Sequence, residues 1–126
     1  IDLQVELKSL TVDERFAKSE DDVSPRIRAQ VELARQAQRD RFGPANIPCN
    51  AAIPGGHVAD YVDFSSEGLA AFKRQVESSQ LSTRSTDRLA KVARTIADLA
   101  ESRTTDPSHV DEAASFVIGG VLRDAR

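Results

Sequence analysis

The chain opens with Ile1, Leu3, Val5 and Leu7 alternating with Asp2, Gln4, Glu6 and Lys8. This period of two is the pattern of a half-buried strand, and no other segment repeats it. Thr11, with Glu14 three residues later, supplies a capping-box start for one short helix. The acidic, apolar-free run Ser19-Glu20-Asp21-Asp22 follows as a solvated linker. A calcium loop is the poorer reading, because its ligands spread over a dozen residues around a central Gly.

From Ser24-Pro25 the period becomes helical. Ser caps a helix and Pro tolerates its first turn. Ile27, Val31, Ala34 and Phe42 fall on one side, with Arg28, Arg35 and Arg39 on the adjacent edge, and the helix should end near Phe42, before Gly43-Pro44. Residues 43–63 hold three of the five Pro and three of the six Gly. They predict a long connection that packs down on the domain, with one helical turn near His57-Val58-Ala59. Ser65 or Ser66 caps the next helix, whose expected stripe is Leu69, Phe72 and Val76, ending near Ser78-Ser79-Gln80. Ser82 caps the most strongly patterned helix, with Leu89, Val92, Ala93, Ile96, Leu99 and Ala100 at helical spacing. Asp106-Pro107 starts the last, with Val110, Ala113, Ala114, Val117 and Val121 inward, and Gly119-Gly120 weakening its end.

These elements predict an all-α fold, a small bundle of four or five helices preceded by one orphan strand. A lone strand has no ladder partner, so Ile1 to Leu10 reads as the remnant of a sheet. The absence of Met anywhere in the chain also points to a piece of a longer protein. The expected division is a residual core strand and linker over residues 1–10 and a helical domain over 11–126.

Composition narrows the function. At 126 residues, one domain is the default, able to bury roughly two-thirds of its unfolded surface. Seventeen Lys and Arg against 20 Asp and Glu leave a net charge of −3. That argues against a uniformly basic nucleic-acid binder, though a local basic stripe is still allowed. The single Cys excludes an internal disulfide. No apolar run approaches the ~18 residues of a membrane span. A 5% aromatic content predicts a core of aliphatic residues and Ala.

Candidate chemistry is sparse. The sequence holds no GxxxxGK[ST] loop, no HExxH, no CxxC and no EF-hand pattern. His57 and His109 are far apart and Cys49 is single, so no metal site and no cysteine nucleophile is assigned. The arginines carry more. On the helix capped by Ser82, Arg88, Lys91 and Thr95 lie within about 40° of Arg84 at ~100° per residue, away from the apolar stripe. Arg84 and Arg88 thus share the first turns with free backbone N–H groups and the positive end of the helix dipole, an arrangement suited to phosphate. The same spacing fits a solvated face with Asp87–Lys91 as an i,i+4 pair. Arg28, Arg35 and Arg39 form a second stripe, suited to phosphate, nucleic acid or a neighbouring subunit, or to a salt-bridged surface beside Glu32.

Residues Leu81 to Ser102, LSTRSTDRLAKVARTIADLAES, resemble the C-terminal domain of magnesium-chelatase-like AAA+ ATPases, above all the bacterial competence-type group known as ComM or YifB. The family form LSxRxxxRxxxVARTIADL is met by Leu81, Ser82, Arg84, Arg88 and the run Val92 to Leu99. Further matches are the opening Ile1 to Glu6, then Ile27, Arg28, Val31, Ala34, Arg35, Gln38 and Arg41, then Asn50, His109 and Glu112-Ala113. Departures are Gln30, the run Ser115-Phe116-Val117 and the Pro- and Gly-rich loop from Ala51 to Asp63.

The resemblance implies a helical lid of a AAA+ motor. Arg84 then corresponds to the sensor-2 arginine that touches the γ-phosphate of ATP, with Arg88 as second choice. The phosphate loop, the Mg²⁺ ligands and the catalytic groups belong to the ATPase core, so residues 1–126 carry no catalytic residue and hold no ATP alone. The full-length protein is then a cytoplasmic ATPase with no membrane contact, working as a homo-oligomeric ring with its own core as the lid's partner. Arg94 either pairs with Asp98 or faces the core or a neighbouring subunit. The alternative function is a nucleic-acid-binding or protein-interaction module of a DNA-processing motor, with Arg28, Arg35 and Arg39 on DNA. Porphyrin metal insertion ranks lower, since nothing in the chain resembles a porphyrin or metal site.

Overall fold

The computed structural model describes the backbone of residues 23–124 and the side chains of residues 24–118. The expected strand, short helix and acidic linker of residues 1–22 lie outside the described residues. The rest is all-α, as the periodicity predicts. Five α-helices follow in order: α1 (Val23–Phe42), α2 (Val58–Val62), α3 (Ser66–Ser79), α4 (Thr83–Leu99) and α5 (Pro107–Asp124). Between α1 and α2 the Pro- and Gly-rich connection makes three single-turn 3-10 helices, Gly43–Ala45, Asn50–Ala52 and Gly55–His57.

Helix ends follow local chemistry. Ser65 caps α3 by accepting the Gly68 N–H at 3.0 Å, and Ser82 caps α4 by accepting the Ser85 N–H at 3.2 Å. At the start of α5 the buried His109 Nδ1 accepts the Asp106 N–H at 2.9 Å, the place usually taken by an acid in a capping box. α5 continues through Gly119-Gly120 to Asp124.

α4 is the central rod. One apolar cluster joins Ala71 of α3, Leu89 and Ala93 of α4 and Val110, Ala113, Ala114 and Val117 of α5. A second joins Phe42, Ile53, Val58, Val62 and Ala90. Phe64 and Phe72, with ring centroids 4.8 Å apart, border both. Small residues at Ala90, Ala93 and Ala97 let the neighbouring helices come close to α4, which sets its rotation. Its buried face is Leu89, Ala90, Ala93, Arg94, Ala97 and Asp98, whereas the expected stripe ran through Leu99 and Ala100. Both of these are exposed. In α3 the same effect turns Gly68 and Ala71 inward and leaves Leu69 exposed.

α1 also departs from expectation. Its C-terminal half packs through Ala34, Gln38 and Phe42, but Ile27 and Val31 on the same side are 52% and 40% exposed. A 20-residue helix is about 30 Å long, and its first half outreaches the body it packs on.

The turn before α5 is stitched to the start of α3. The Ser65 N–H donates to the Thr105 carbonyl at 3.1 Å, and the Thr105 N–H donates to the Asp63 carbonyl at 2.8 Å. The buried Thr105 hydroxyl donates to the Val62 carbonyl at 2.6 Å. Gly68 sits directly over this junction: a Cβ there would lie 2.0 Å from the Thr105 carbonyl oxygen. Gly68→Ala should therefore destabilise the domain by about 2 kcal/mol or more, because backbone must move on both sides. Urea unfolding checks this, and a neutral result would contradict the close approach. Beside the junction, hydrogen bonds from Thr104 and then Ser65 hold the Asp106 carboxyl below the usual carboxylate range. A depressed folded-state value stabilises the fold above the usual range and is lost as pH falls through it. Asp106→Asn should flatten the dependence of Tm on pH on the acid side, with the two proteins converging at the lowest pH.

Candidate functional site

α4 carries two polar features, its N-terminal turn and a buried hub near its C-terminal end. Arg84 stands exposed in the first turn, with no hydrogen-bond or ion-pair partner among the described residues. Ser82 satisfies the Ser85 N–H, which leaves the N–H groups of Thr83 and Arg84 outside the helical ladder. Arg88, one turn on, is half-buried and held by an interaction of its own. Lys91 does not pair with Asp87 as the i,i+4 reading has it; its Nζ donates to the Ala51 carbonyl at 3.2 Å. The structure thus keeps Arg84 and Arg88 on one side of α4, with Arg84 exposed and Arg88 half-buried.

The second arginine stripe lies elsewhere. Arg28, Arg35 and Arg39 are exposed along α1, and the Arg39 guanidinium donates to the Gln36 side-chain oxygen at 2.6 Å. His57 is an exposed neighbour of Asp60 at 3.2 Å, and Cys49 is a half-buried free thiol. Among the described residues no group of three His, Cys, Asp or Glu side chains could hold a metal ion.

The polar hub is built around Asp98. The Arg94 Nε donates to Asp98 Oδ1 at 3.1 Å, one helical turn away, and both side chains are almost fully buried. The remaining Arg94 donors reach the carbonyls of Val62, at 3.3 Å, Arg103, at 3.0 Å, and Ser102, at 2.6 Å. One guanidinium thereby ties the end of α2 to the turn after α4. Arg41 reaches the same carboxylate from α1: its Nη1 donates to Oδ2 at 3.1 Å and its Nη2 pairs with Oδ1. The Asn50 amide completes the set. Its Nδ2 donates to Asp98 Oδ2 at 2.9 Å and to Thr95 Oγ1 at 3.1 Å, its Oδ1 accepts from Arg41 at 3.1 Å, and its backbone N–H donates to Gln38 Oε1 at 2.8 Å. No buried side-chain nitrogen or oxygen among the described residues lacks a partner.

Burial lowers the pKa of Arg94, Asp98 pulls it back up and the nearby Arg41 charge lowers it further. The guanidinium nonetheless stays charged at any physiological pH. No buried donor or acceptor of the hub is left unpaired, so its chemistry is structural. It fixes the rotation and height of α4, and with them the direction of Arg84.

Residues 21–116 match the family model of the magnesium chelatase subunit ChlI C-terminal domain. The chain belongs to this family. Across 123 residues, 98% of its length, it is 28% identical to an uncharacterized protein of Mycobacterium bovis and to two of Mycobacterium tuberculosis. It spans about a quarter of the length of these curated relatives, 24% of each. No solved structure matches.

The hub of this ChlI C-terminal domain is only partly legible in the sequence. Of the alternatives for Arg94, the structure shows pairing with Asp98. Arg41, Gln38 and Asn50 stand out in the sequence only as motif positions. The available signal was that Gln38 lies on the helix side of Ala34 and Phe42, where a polar residue needs a buried partner. In this domain, removing the shared carboxylate leaves two guanidiniums facing each other in low dielectric. Asp98→Ala should cost about 3–5 kcal/mol, whereas Arg41→Ala, which removes the more exposed cation, should cost less. Chemical denaturation of both variants measures this, and an Asp98→Ala loss no larger than that of Arg41→Ala would contradict the hub.

Proposed function

We propose that this ChlI C-terminal domain is the helical lid of a AAA+ ATPase and that Arg84 holds the terminal phosphate of ATP bound in the rest of the protein. The observation that carries the reading is an exposed guanidinium without a partner among the described residues, on the first turn of a capped 17-residue helix. The donor set fits a phosphate: a forked cation beside backbone N–H groups at the positive end of a dipole. The family match and the LSTR and VARTIADL segments support the same reading. ATP with Mg²⁺ supplies the phosphoryl chemistry, and Arg84 binds and orients the far end of the nucleotide. α4 carries that grip to the rest of the lid as a rigid body, because Arg94, Asp98 and Arg41 lock it to α1 and to the turn before α5. The whole protein then works as a cytoplasmic ring of the competence type.

In the full-length protein, Arg84→Ala should lower ATP turnover by about a hundredfold or more, with Arg84→Lys recovering part of it. The Tm of the isolated domain should stay unchanged, since Arg84 has no hydrogen-bond or ion-pair partner among the described residues. Unchanged turnover overturns the assignment.

A second reading rests on Arg28, Arg35 and Arg39, all exposed along one helix, as a contact for the DNA backbone in the same motor. Three phosphate contacts should make duplex affinity fall roughly 40-fold between 50 and 200 mM salt. An anisotropy titration insensitive to salt, or to replacement of the three arginines by Gln, contradicts it.

A further inference from the structure

The strip of α4 bearing Arg88, Lys91, Val92, Thr95, Ile96 and Leu99 borders the first apolar cluster, against which Val92 and Ile96 pack with one side while staying half-buried. Two adjoining depressions run along it. One of about 260 Å³ is walled by Val31 and Arg35 of α1, and one of about 340 Å³ by Glu112 and Phe116 of α5. Both include Ala51, Thr95 and Leu99, so they form one groove crossing α4 between two helical ridges. Its floor is apolar and open: Leu99 is 39% exposed, like Val31, and Val92, Ile96 and Phe116 are half-buried. Among the described residues its rim carries Arg35, Lys91 and Arg88, the last already held by an interaction of its own, against Glu112, in a chain whose net charge is −3.

A groove between two ridges with an apolar floor fits an amphipathic helix laid along it, and the basic rim selects one with acidic flanks. A phosphate backbone would use the cations and leave the floor uncovered. We propose that this groove is the docking site for an acidic amphipathic helix of a protein partner. Its apolar anchors rest on Val92, Ile96 and Leu99, and its carboxylates turn toward Arg35 and Lys91. Thr95 connects the groove to the hub, since its hydroxyl accepts from Asn50 and donates to the Lys91 carbonyl at 2.9 Å. The inference is independent of the role given to Arg84.

The test is an NMR titration of the isotopically labelled 126-residue chain with a synthetic helical peptide of about 18 residues, Leu at helical spacing and Glu elsewhere. A Leu/Lys peptide of the same pattern and a short DNA duplex serve as comparisons. The expected result is shifts centred on Thr95, Ile96, Leu99 and Phe116, with affinity roughly tenfold or more above that for the Leu/Lys peptide. Leu99→Asp should weaken binding by a similar factor, and so should Arg35→Glu, which leaves the floor intact. Equal binding of both peptides, shifts mapping to another face, or duplex DNA binding more tightly at these same resonances overturns the proposal. It also fails if the Leu/Glu peptide binds only after residues 1–22 are deleted, which would give the groove to the chain's own N-terminal segment.

Discussion

Asp98 is buried with two guanidiniums turned toward it, Arg94 from its own helix and Arg41 from α1, and with the Asn50 amide on its remaining side. Taking a carboxylate out of water costs several kcal/mol, and the attraction of one cation repays this only with good geometry and full hydrogen bonding. Here the geometry is over-determined. Arg94 spends its other donors on three backbone carbonyls, and Arg41 keeps some solvent access, so the second positive charge is not wholly desolvated. Such an arrangement gives conformational specificity: α1, α4, the 3-10 turn at Asn50 and the turn before α5 meet in one register.

The apolar core supplies the complementary constraint. Ala90, Ala93 and Ala97 have little side chain to interlock with their neighbours, and an all-apolar surface of such small residues would specify the rotation of α4 poorly. With Arg94 and Asp98 on the same buried face, one rotation satisfies the ionic network while Leu89 and Ala93 meet Val110, Ala113 and Val117 of α5. That rotation puts Arg84 outward on the first turn and opens the strip from Arg88 to Leu99 between α1 and α5. The phosphate grip proposed for Arg84 and the proposed helix groove therefore both depend on one buried network on a single helix.

Much of this was legible along the chain. Ser65, Ser82 and Asp106-Pro107 mark helix starts through capping chemistry that is local, and Gly43-Pro44 ends α1 for equally local reasons. Buried faces were less legible. Hydrophobic periodicity favours the bulkier Leu69, Leu99 and Ile27, yet these are exposed, because close helix approach rewards Gly68, Ala71 and Ala97 instead. The tight contact of Gly68 with Thr105 joins residues nearly forty positions apart, and the meeting of Arg41 with Asp98 spans 57. No pattern within one helix contains either. Arg84 stood out because its argument needs one helix terminus only, while Arg41 and Asn50 matched family positions without disclosing that they meet.

The proposed role of Arg84 depends on rigid connections from the Asp98 hub through α4 to its guanidinium. The most direct measurement is a structure of the full-length protein with a non-hydrolysable ATP analogue and Mg²⁺. The account predicts the Arg84 guanidinium at about 3 Å from the terminal phosphate, with the Arg41–Asp98–Arg94 contacts unchanged. An Arg84 side chain directed to solvent beside a bound nucleotide would contradict it.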